Sequence, residues 1–487
     1  MNIPRITIGR KAMTAAFRAA VAGILLILAG CATVGPDYLP PGMDLPESWN
    51  SPLKGGLRDG EEPPGSLAGW WKTLNDPDLS SLTERAMAGN RDLKQAQARV
   101  RQARANRGII RAGLFPTLDA SGSATRSRSS EEAGMGTTRN FYMAGLDAGW
   151  ELDLFGGVRR SVESADAELE ASREDLRDVL VSLLAEVALN YVDVRTYQAR
   201  LSVAESNLAT QGETFDLTSW RQQAGLSDEV AVQQARYNLE RTRSQIPTLR
   251  TGLEGAKNNL ATLLGETPGK IHAELEERKP IPAASPSLAV GVPADVLHQR
   301  PDVRRSERQL AAQTARIGVA EAELYPRLTL SGSIGLESLS TSSLFSSGSR
   351  TASGGIGISW RIFDAGAIRQ DIEVQSALQE QSLMAYEAAV LNSLKEVENA
   401  LTAFAEEEER RQALEAAVQA ARKAAEQAGF KYQTGLADFD SVLDAQRSLL
   451  TFQDELAQSN GTVVSNLIRL YKALGGGWIS LDPDNKH

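Results

Sequence analysis

An internal duplication with a constant offset of 210 residues constrains this chain more than any other feature. The stretch Trp150-Glu-Leu-Asp-Leu-Phe-Gly156 has a counterpart in Trp360-Arg-Ile-Phe-Asp-Ala-Gly366. The same offset holds at widely separated positions, which indicates two copies of one unit. Such a duplication must be recognised before a fold is assigned. The other matching anchors are Asp92 and Asp302, Leu114-Phe115-Pro116 and Leu324-Tyr325-Pro326, Glu186 and Glu396, Gly225-Leu226 and Gly435-Leu436, and Leu264-Gly265 and Leu474-Gly475.

The duplication sets the predicted boundaries of the chain. The first repeat covers residues 79–265 and the second covers 302–475, with a linker at 266–301 that contains six prolines. Residues 476–487 form a C-terminal tail. The formal net charge of -10 disfavours a nucleic-acid partner.

The N-terminus has the composition of an export signal. Residues 1–30 combine a basic start with an apolar run that is too short to span a bilayer. Cys31 follows small residues and is the only cysteine, so it cannot form an internal disulfide. This context resembles the lipobox of bacterial lipoproteins, which implies cleavage before Cys31, acylation of its thiol and an outer-membrane anchor. The alternative is a cysteine that happens to follow a signal. Residues 31–78 are then a lipid-anchored tail, of which 32–68, rich in proline and glycine and without periodicity, are expected to be extended.

Each repeat is predicted to be mainly helical. A first helix covers about residues 79–112, with a break near Asn90, and Pro116 ends it. A very long helix runs from about 156 to 222, with apolar residues at three- and four-residue steps that are typical of packed helices. A glycine turn ends it, and another helix returns to about Leu264. The second copy repeats this order.

Two strands precede each long helix, at about residues 117–128 and 140–154, and at about 327–336 and 354–363. Apolar residues alternate with small or polar residues in these segments, which is typical of transmembrane β-strands. A half-exposed soluble hairpin has the same periodicity. Because the smallest membrane barrels have eight strands, four strands form either no barrel or one shared between subunits. The strand count alone does not choose between two, three and four copies.

Short motifs accompany these features: the lipobox, Trp70-Trp71, Arg300-Pro301-Asp302-Val303, the Phe-Pro and Tyr-Pro turns, Leu443-Asp444-Ala445-Gln446-Arg447 and Leu474-Gly475-Gly476-Gly477-Trp478. Together they resemble the TolC-like outer-membrane efflux proteins, in the lipoprotein (NodT/OprM-like) branch. The resemblance covers essentially the whole mature chain. It implies a mainly α fold with a membrane β-barrel, in which a homotrimer forms a 12-stranded β-barrel and a long α-helical barrel. It also implies the exit duct of a tripartite export system, with a periplasmic adaptor and an inner-membrane pump, often of the resistance-nodulation-division type.

No sequence feature indicates catalysis. The three histidines are scattered, and no metal-ligand spacing, phosphate loop or nucleophile motif occurs. We therefore expect no enzyme activity, no metal and no cofactor other than the covalent lipid on Cys31. The main alternative function is a lipid-anchored periplasmic coiled-coil scaffold without a pore, which would not require strands repeated in register.

Two carboxylates follow the second glycine turn. Asp440 and Asp444 are four residues apart and so lie on one helix face. If that face lines the tube, symmetry produces rings of carboxylates at the periplasmic tip, which would favour cations and hold the opening closed through basic neighbours. The resemblance matches Asp444 to an aspartate at the closed aperture of the family. The alternative is that both acids only cap or solvate the helix start.

The turns themselves are the predicted contact with the adaptor. Gly225-Leu226 and Gly435-Leu436 match the motifs at which family members meet that partner. The alternative, a glycine that serves only to end a helix, is compatible with the contact.

Overall fold

The computed structural model describes residues 33–60, 66–283 and 289–478. The predicted signal peptide and the predicted anchor Cys31 lie outside these residues. The chain divides into two compact units, and each unit takes segments from both repeats. The repeats are therefore not separately folded domains. Unit 1 comprises Arg99–Ser172, Arg305–Tyr386 and the described residues up to Gly42, and unit 2 comprises Met43–Ala98, Arg173–Arg304 and the described residues from Glu387 onwards.

Both copies follow the predicted order of helix, strand, strand, long helix and helix, which confirms the duplicated unit. The strands are β1 (Arg58–Asp59), β2 (Thr117–Arg128), β3 (Thr138–Leu152), β4 (Ala289–Val290), β5 (Arg327–Ser338) and β6 (Arg350–Ser359). The α-helices are α1 (Pro77–Gly89), α2 (Arg91–Ala112), α3 (Gly157–Gln223), α4 (Glu229–Leu263), α5 (Pro293–Gln299), α6 (Pro301–Ala322), α7 (Ala367–Gln433) and α8 (Phe439–Ala473). Short 3-10 helices cover Ser66–Leu74, Thr341–Ser343 and Ser347–Ser349.

The predicted break in the first helix is present at Asn90. Its Oδ1 accepts a hydrogen bond of 2.9 Å from the backbone N–H of Leu93, as expected of an N-cap. Its Nδ2 donates to the carbonyl of Leu263 at 2.9 Å. One side chain thus begins α2 and holds the end of α4.

Unit 1 contains an antiparallel four-stranded sheet in the order β2-β3-β5-β6. The two tryptophans of the repeated stretch make equivalent contacts beside this sheet. Trp150 Nε1 donates to the carbonyl of Leu114 at 3.1 Å, and Trp360 Nε1 donates to that of Leu324 at 2.9 Å. The duplication therefore extends to individual hydrogen bonds.

The last strand is shorter at its C-terminal end than the sequence indicates. It ends at Ser359, which pairs with Arg327, so Trp360 and the residues that follow it lie outside the strand. The next position on the partner strand is Pro326, which has no N–H to donate to the ladder. Likewise, β3 ends at Leu152 and not at 154, while β3 and β5 each gain two residues at the loop end.

The tail in unit 1 lies against the helices. Arg160, whose side chain is buried, donates to the carbonyls of Val34 and Gly35 at 3.0 Å and to Asp37 at 2.7 Å. A Cβ on Gly35, which has a φ of +90°, would lie 2.3 Å from the Cα of Gly318. The close crossing requires glycine here.

The tail in unit 2 is not extended throughout, which corrects the expectation of an extended segment over residues 32–68. Ser66–Leu74 is a 3-10 helix, and α1 begins at Pro77. The helix buries Trp70, whose ring stacks on Tyr471 at a centroid distance of 5.2 Å. Burial of a large aromatic stabilises a conformation that a Pro- and Gly-rich composition does not indicate.

The linker at 266–301 also contains regular structure. Its β4 pairs in parallel with β1 of the tail, and α5 precedes α6, which begins at Pro301 as its position predicts. Arg300, at the junction of α5 and α6, is buried in the unit 2 core. Within the described residues, no helix is long and apolar enough to cross a membrane.

Candidate functional site

Each long helix ends in unit 2 at a glycine turn of the same geometry. Gly225 has a φ of +73° and Gly435 a φ of +76°, in the left-handed region. The N–H groups of Leu226 and Leu436 each donate at 2.8 Å to a carbonyl five residues earlier, as in a Schellman motif. The two leucine side chains are 68% and 77% exposed, so both turns present an apolar side chain to their surroundings.

An aspartate caps the returning helix after each turn. Asp228 accepts from the N–H of Ala231 at 2.9 Å, and Asp438 accepts from the N–H of Ser441 at 3.0 Å. Hydrogen bonds from the hydroxyl and the N–H of Ser441 lower the pKa of Asp438. Because these caps are 210 residues apart and equivalent, the N-cap function does not require Asp440 or Asp444.

Aromatic and cationic side chains bring the two turns together. The Arg221 guanidinium lies 4.6 Å from the ring centroid of Tyr432. Tyr432 packs against Phe439 at 5.3 Å, and both contribute to a buried cluster with Ala231 and Ala235 of α4. Neither Arg221 nor Tyr432 is predictable as a site residue from the sequence, because the cation–π contact joins residues that are distant in the chain.

Asp444 is linked to the other returning helix through an arginine. Its Oδ1 lies 3.3 Å from Nη1 of Arg447, and Nη2 of Arg447 donates to the hydroxyl of Tyr237 on α4 at 3.2 Å. Tyr237 and Arg447 occupy the same position in the two repeats. Arg447 follows Asp444 by three residues, a spacing from which the pair could have been predicted.

Asp440 and Asp444 lie on one face of α8 and are both exposed, as the sequence predicts for the spacing. Their counterparts in the first repeat are Val230 and Gln234, so the acidic pair occurs in one copy alone. The role of the two carboxylates at an aperture stays a prediction, as do the adaptor contacts of the glycine turns.

A polar cavity of about 220 Å³ lies next to Arg447, between α3, α4 and α8. Gln211 and Asn238, each 7% exposed, line it. Their buried Oε1 and Nδ2 atoms have no hydrogen-bond partner among the described residues. A polar cavity of this size suits a cluster of water molecules. The start of α8 therefore packs partly through polar groups, in contrast to the apolar contacts of its other end.

Comparison with known proteins identifies the class to which this arrangement belongs. The family model for outer membrane efflux proteins matches residues 82–266 and 292–476, two segments that are themselves offset by 210 residues. The chain is 34% identical to nodulation protein T of Rhizobium leguminosarum bv. trifolii over 93% of this chain and 96% of the relative. It is 33% identical to the solvent efflux pump outer membrane protein SrpC of Pseudomonas putida, over 93% and 97% of the two chains.

A solved structure shows the same architecture. The outer-membrane channel OprN superimposes with a TM-score of 0.87 at 37% identity, over 92% of this chain and 100% of that chain. The duplicated unit of helices and strands, with a glycine turn after each long helix, is thus the architecture of an outer-membrane channel protein. The chain belongs to the outer membrane efflux protein family. It is an outer-membrane protein that functions in efflux, and its family members are channels.

Proposed function

We propose that three copies of this chain form the passive exit duct of a tripartite efflux system. The observation that carries the proposal is the four-stranded sheet, whose outer strands β2 and β6 each have one neighbour among the described strands. In lipid, such edges must be paired, and three copies supply twelve strands for a closed barrel. An inner-membrane pump, of the resistance-nodulation-division type, and a periplasmic adaptor deliver the substrate. The duct requires no cofactor.

Acylation of Cys31 attaches the duct to the outer membrane. The described tail begins at Thr33, two residues later, and is held by Arg160 at Val34 and Gly35. More than one acyl chain is needed for a stable anchor. Mass spectrometry of the mature protein should find an acylated Cys31 at its N-terminus, and an unmodified thiol there would refute the anchor.

The mass of the detergent-solubilised protein tests the duct itself. Light scattering corrected for bound detergent should give three times the mass of the mature chain. A monomer that is stable in mild detergent could not close a four-stranded sheet into a barrel. That result would favour the lipid-anchored scaffold without a pore.

Asp440 and Asp444 form the aperture of this duct. The equivalent caps Asp228 and Asp438 support this role, since the acidic pair is additional to the capping of α8. The contact from Asp444 through Arg447 to Tyr237 restrains α8 against α4 at this level. Threefold symmetry repeats the restraint and surrounds the opening with carboxylates that attract cations.

Asp444→Ala should raise the single-channel conductance in planar bilayers by a factor of about two or more, because it removes a ring of charge and a restraint. The matched control is Gln234→Ala, at the same position of the first repeat, which should leave the conductance unchanged. An unchanged conductance for Asp444→Ala would refute the aperture role.

The two glycine turns, with Leu226 and Leu436 exposed, are the contact with the adaptor. Gly435→Trp should abolish drug resistance in cells while the trimer persists, because the indole would block the docking surface. Gly435→Ala is the control, since it shares the backbone strain of a positive φ but not the bulk. Normal export by Gly435→Trp would exclude a contact at this turn.

A further inference from the structure

The two faces of the four-stranded sheet in unit 1 differ in chemistry. Successive side chains of a strand point to opposite faces of a sheet. On one face, polar groups bond across the strands: Ser121 Oγ donates to Asp147 at 2.9 Å, and the hydroxyls of Ser333 and Ser353 lie 2.8 Å apart. The other face is mainly apolar. Its members on β2 are Leu118, Ala120, Gly122 and Ala124.

The charged side chains on the apolar face of the four described strands are all arginines. Arg126 and Arg128 continue the apolar alternation of β2, and Arg350 begins β6 opposite Leu336. All three arginines are exposed. Arg126 and Arg350 form no ion pair within the described part of the chain, and Arg128 lies 3.4 Å from Glu131 with both side chains largely exposed. Because an exposed pair is weak, this end of the face keeps its positive charge.

The duplication places Arg126 and Arg350 at one level of the sheet. Arg126 pairs with Asn140 across the β2–β3 ladder. Asn140 is the counterpart of Arg350 at the offset of 210 residues. Each pair of adjacent strands therefore carries an arginine at the equivalent level, on β2 in the first repeat and on β6 in the second.

The distance from the repeated tryptophans sets this level relative to a membrane. Trp150 and Trp360 form their hydrogen bonds at the helix end of the sheet, and the aromatic residues of membrane barrels lie at the interfaces. Asn140 and Arg350 each precede a tryptophan by ten residues, which is about 34 Å along a strand. At a strand tilt of about 40°, this distance is about 26 Å along the membrane normal, against an apolar band about 25 Å tall. The arginines thus lie at the far edge of the band, at the level of the lipid headgroups.

A guanidinium at this edge is suited to a phosphate. It presents a planar fork of N–H donors to phosphate oxygens, and its charge would be costly deeper in the lipid. Its long stem also allows the charged end to reach the headgroups while the stem stays on apolar surface. The apolar residues nearer the tryptophans accommodate acyl chains. A lipid with a phosphorylated headgroup therefore matches both parts of the face.

We propose that Arg126, Arg128 and Arg350 bind the phosphate groups of phosphorylated lipid in the outer leaflet, with its acyl chains along the apolar face. The inference rests on the proposed duct, in which the helices lie in the periplasm and the loop end of the sheet lies in the outer leaflet. The outer leaflet of a bacterial outer membrane is rich in phosphorylated glycolipid. In the closed barrel, β6 lies beside β2 of the next copy, so arginines of two copies contribute to each of three sites.

Lipid binding by the detergent-solubilised protein tests the site, with diphosphoryl lipid A as the probe. The Arg126→Gln/Arg128→Gln/Arg350→Gln protein should bind it at least about tenfold more weakly, because each basic group beside an anionic headgroup contributes a few-fold to affinity. Native mass spectrometry counts the bound lipid and gives the mass of the assembly in one experiment. The single variants Arg126→Gln and Arg350→Gln, with expected losses of about three- to fivefold, provide the measurement if the triple variant does not fold.

The matched control is Arg139→Gln. Arg139 pairs with Ser127, between Arg126 and Arg128 along the ladder, but the alternation of β3 places it on the polar face. The control removes the same charge at the same depth, so its affinity should stay within about twofold of wild type if contact with the lipid decides binding. Equal losses for Arg126→Gln and Arg139→Gln would indicate a general effect of charge and would overturn the inference.

Two further probes separate the lipid from its parts. Phosphatidylethanolamine, which has no net charge, should bind at least about tenfold more weakly than diphosphoryl lipid A. Equal affinities would mean that acyl chains alone are recognised, and would overturn the role of the arginines. Inorganic phosphate should not displace the lipid, and displacement at equal concentration would overturn the assignment to a lipid.

The outcomes separate this inference from the proposed duct. A wild-type trimer whose affinity for diphosphoryl lipid A equals that of the triple variant would overturn the lipid site and leave the duct intact. A wild-type monomer would overturn the duct, and with it the depth assigned to the arginines. A trimer that loses affinity in the triple variant and retains it in Arg139→Gln would support both.

Discussion

The glycine turns that follow the long helices α3 and α7 have the same backbone conformation in the two repeats, but the side chains that follow them differ. Gly225 and Gly435 make the same turn, and the caps Asp228 and Asp438 are equivalent. Immediately afterwards, the second copy has Asp440 and Asp444 in place of Val230 and Gln234. The difference separates two requirements. The glycine and the capping aspartate are needed in both repeats, because they end one helix and begin the next. Positions 440 and 444 take no part in the turn, so their side chains can differ between the repeats and carry charge.

The same comparison holds at the junction that precedes α2 and α6. Asn90 donates to the carbonyl of Leu263 at 2.9 Å, and Arg300, its counterpart, donates to the carbonyl of Ala473 at 2.8 Å. Leu263 and Ala473 are themselves equivalent. Arg300 additionally forms ion pairs of 2.7 Å with Asp302 and Glu396. One copy thus satisfies a carbonyl with an amide, and the other builds a charged network on the same contact.

The largest expected effect distinguishes the two junctions. Arg300→Ala should lower the free energy of unfolding by about 3–5 kcal/mol, because it leaves Asp302 and the Ala473 carbonyl without their buried partner. Asn90→Ala should cost about 1–2 kcal/mol, the loss of a cap and a hydrogen bond. Denaturant unfolding of the detergent-solubilised proteins measures both. Equal losses would mean that the ion pairs add nothing to the shared contact.

A smaller and equal effect is expected at the two turns. Gly225→Ala and Gly435→Ala should each destabilise the protein by about 1–2 kcal/mol, because a Cβ is unfavourable at positive φ. Among the described residues other than its chain neighbours, neither site has an atom within 4 Å of the added methyl group, so strain is the dominant cost. The same unfolding experiment should give matched values. A clear difference would show that the turns are not equivalent energetically.

The smallest effect is a pH dependence confined to the second junction. Burial opposes ionisation of Asp302, but the hydrogen bonds and charge of Arg300 lower the pKa of this carboxyl overall. A lowered folded-state pKa contributes stability above the unfolded value, about 3.9, that is lost as the pH falls through the folded value. The stability difference between wild type and Asp302→Asn should therefore shrink below about pH 4. A difference that stays constant into that range would exclude this linkage.

Local signals located the repeated elements well and their margins less well. The break at Asn90 and the bounds of β2 follow from a capping residue and from Pro116, and both act within a few residues. The end of β6 depends on Pro326 of the neighbouring strand, 33 residues earlier in the chain. The helix at Ser66–Leu74 depends on stacking of Trp70 against Tyr471. Neither partner is visible in the periodicity of the segment concerned.

For the candidate site, the spacing of Asp440 and Asp444 and the two glycine turns were evident in the sequence. The cation–π contact of Arg221 with Tyr432 was not, since the two residues belong to different repeats and are not equivalent positions. Arg447 belongs to the Leu443–Arg447 motif, which by itself indicates no role for it, whereas its hydrogen bond to Tyr237 links α8 to α4.

The sequence by itself determined the duplication, the order of elements, the family and the positions of the turns. Each of these follows from the 210-residue offset, from the periodicity of apolar residues or from a turn glycine, and all three are local properties of the sequence. The tertiary structure alone decided which side chains meet, such as Arg300 with Glu396 and Arg447 with Tyr237. The physical reason is that ion pairs and hydrogen bonds depend on distances of a few ångströms between residues that the chain separates by many turns of helix.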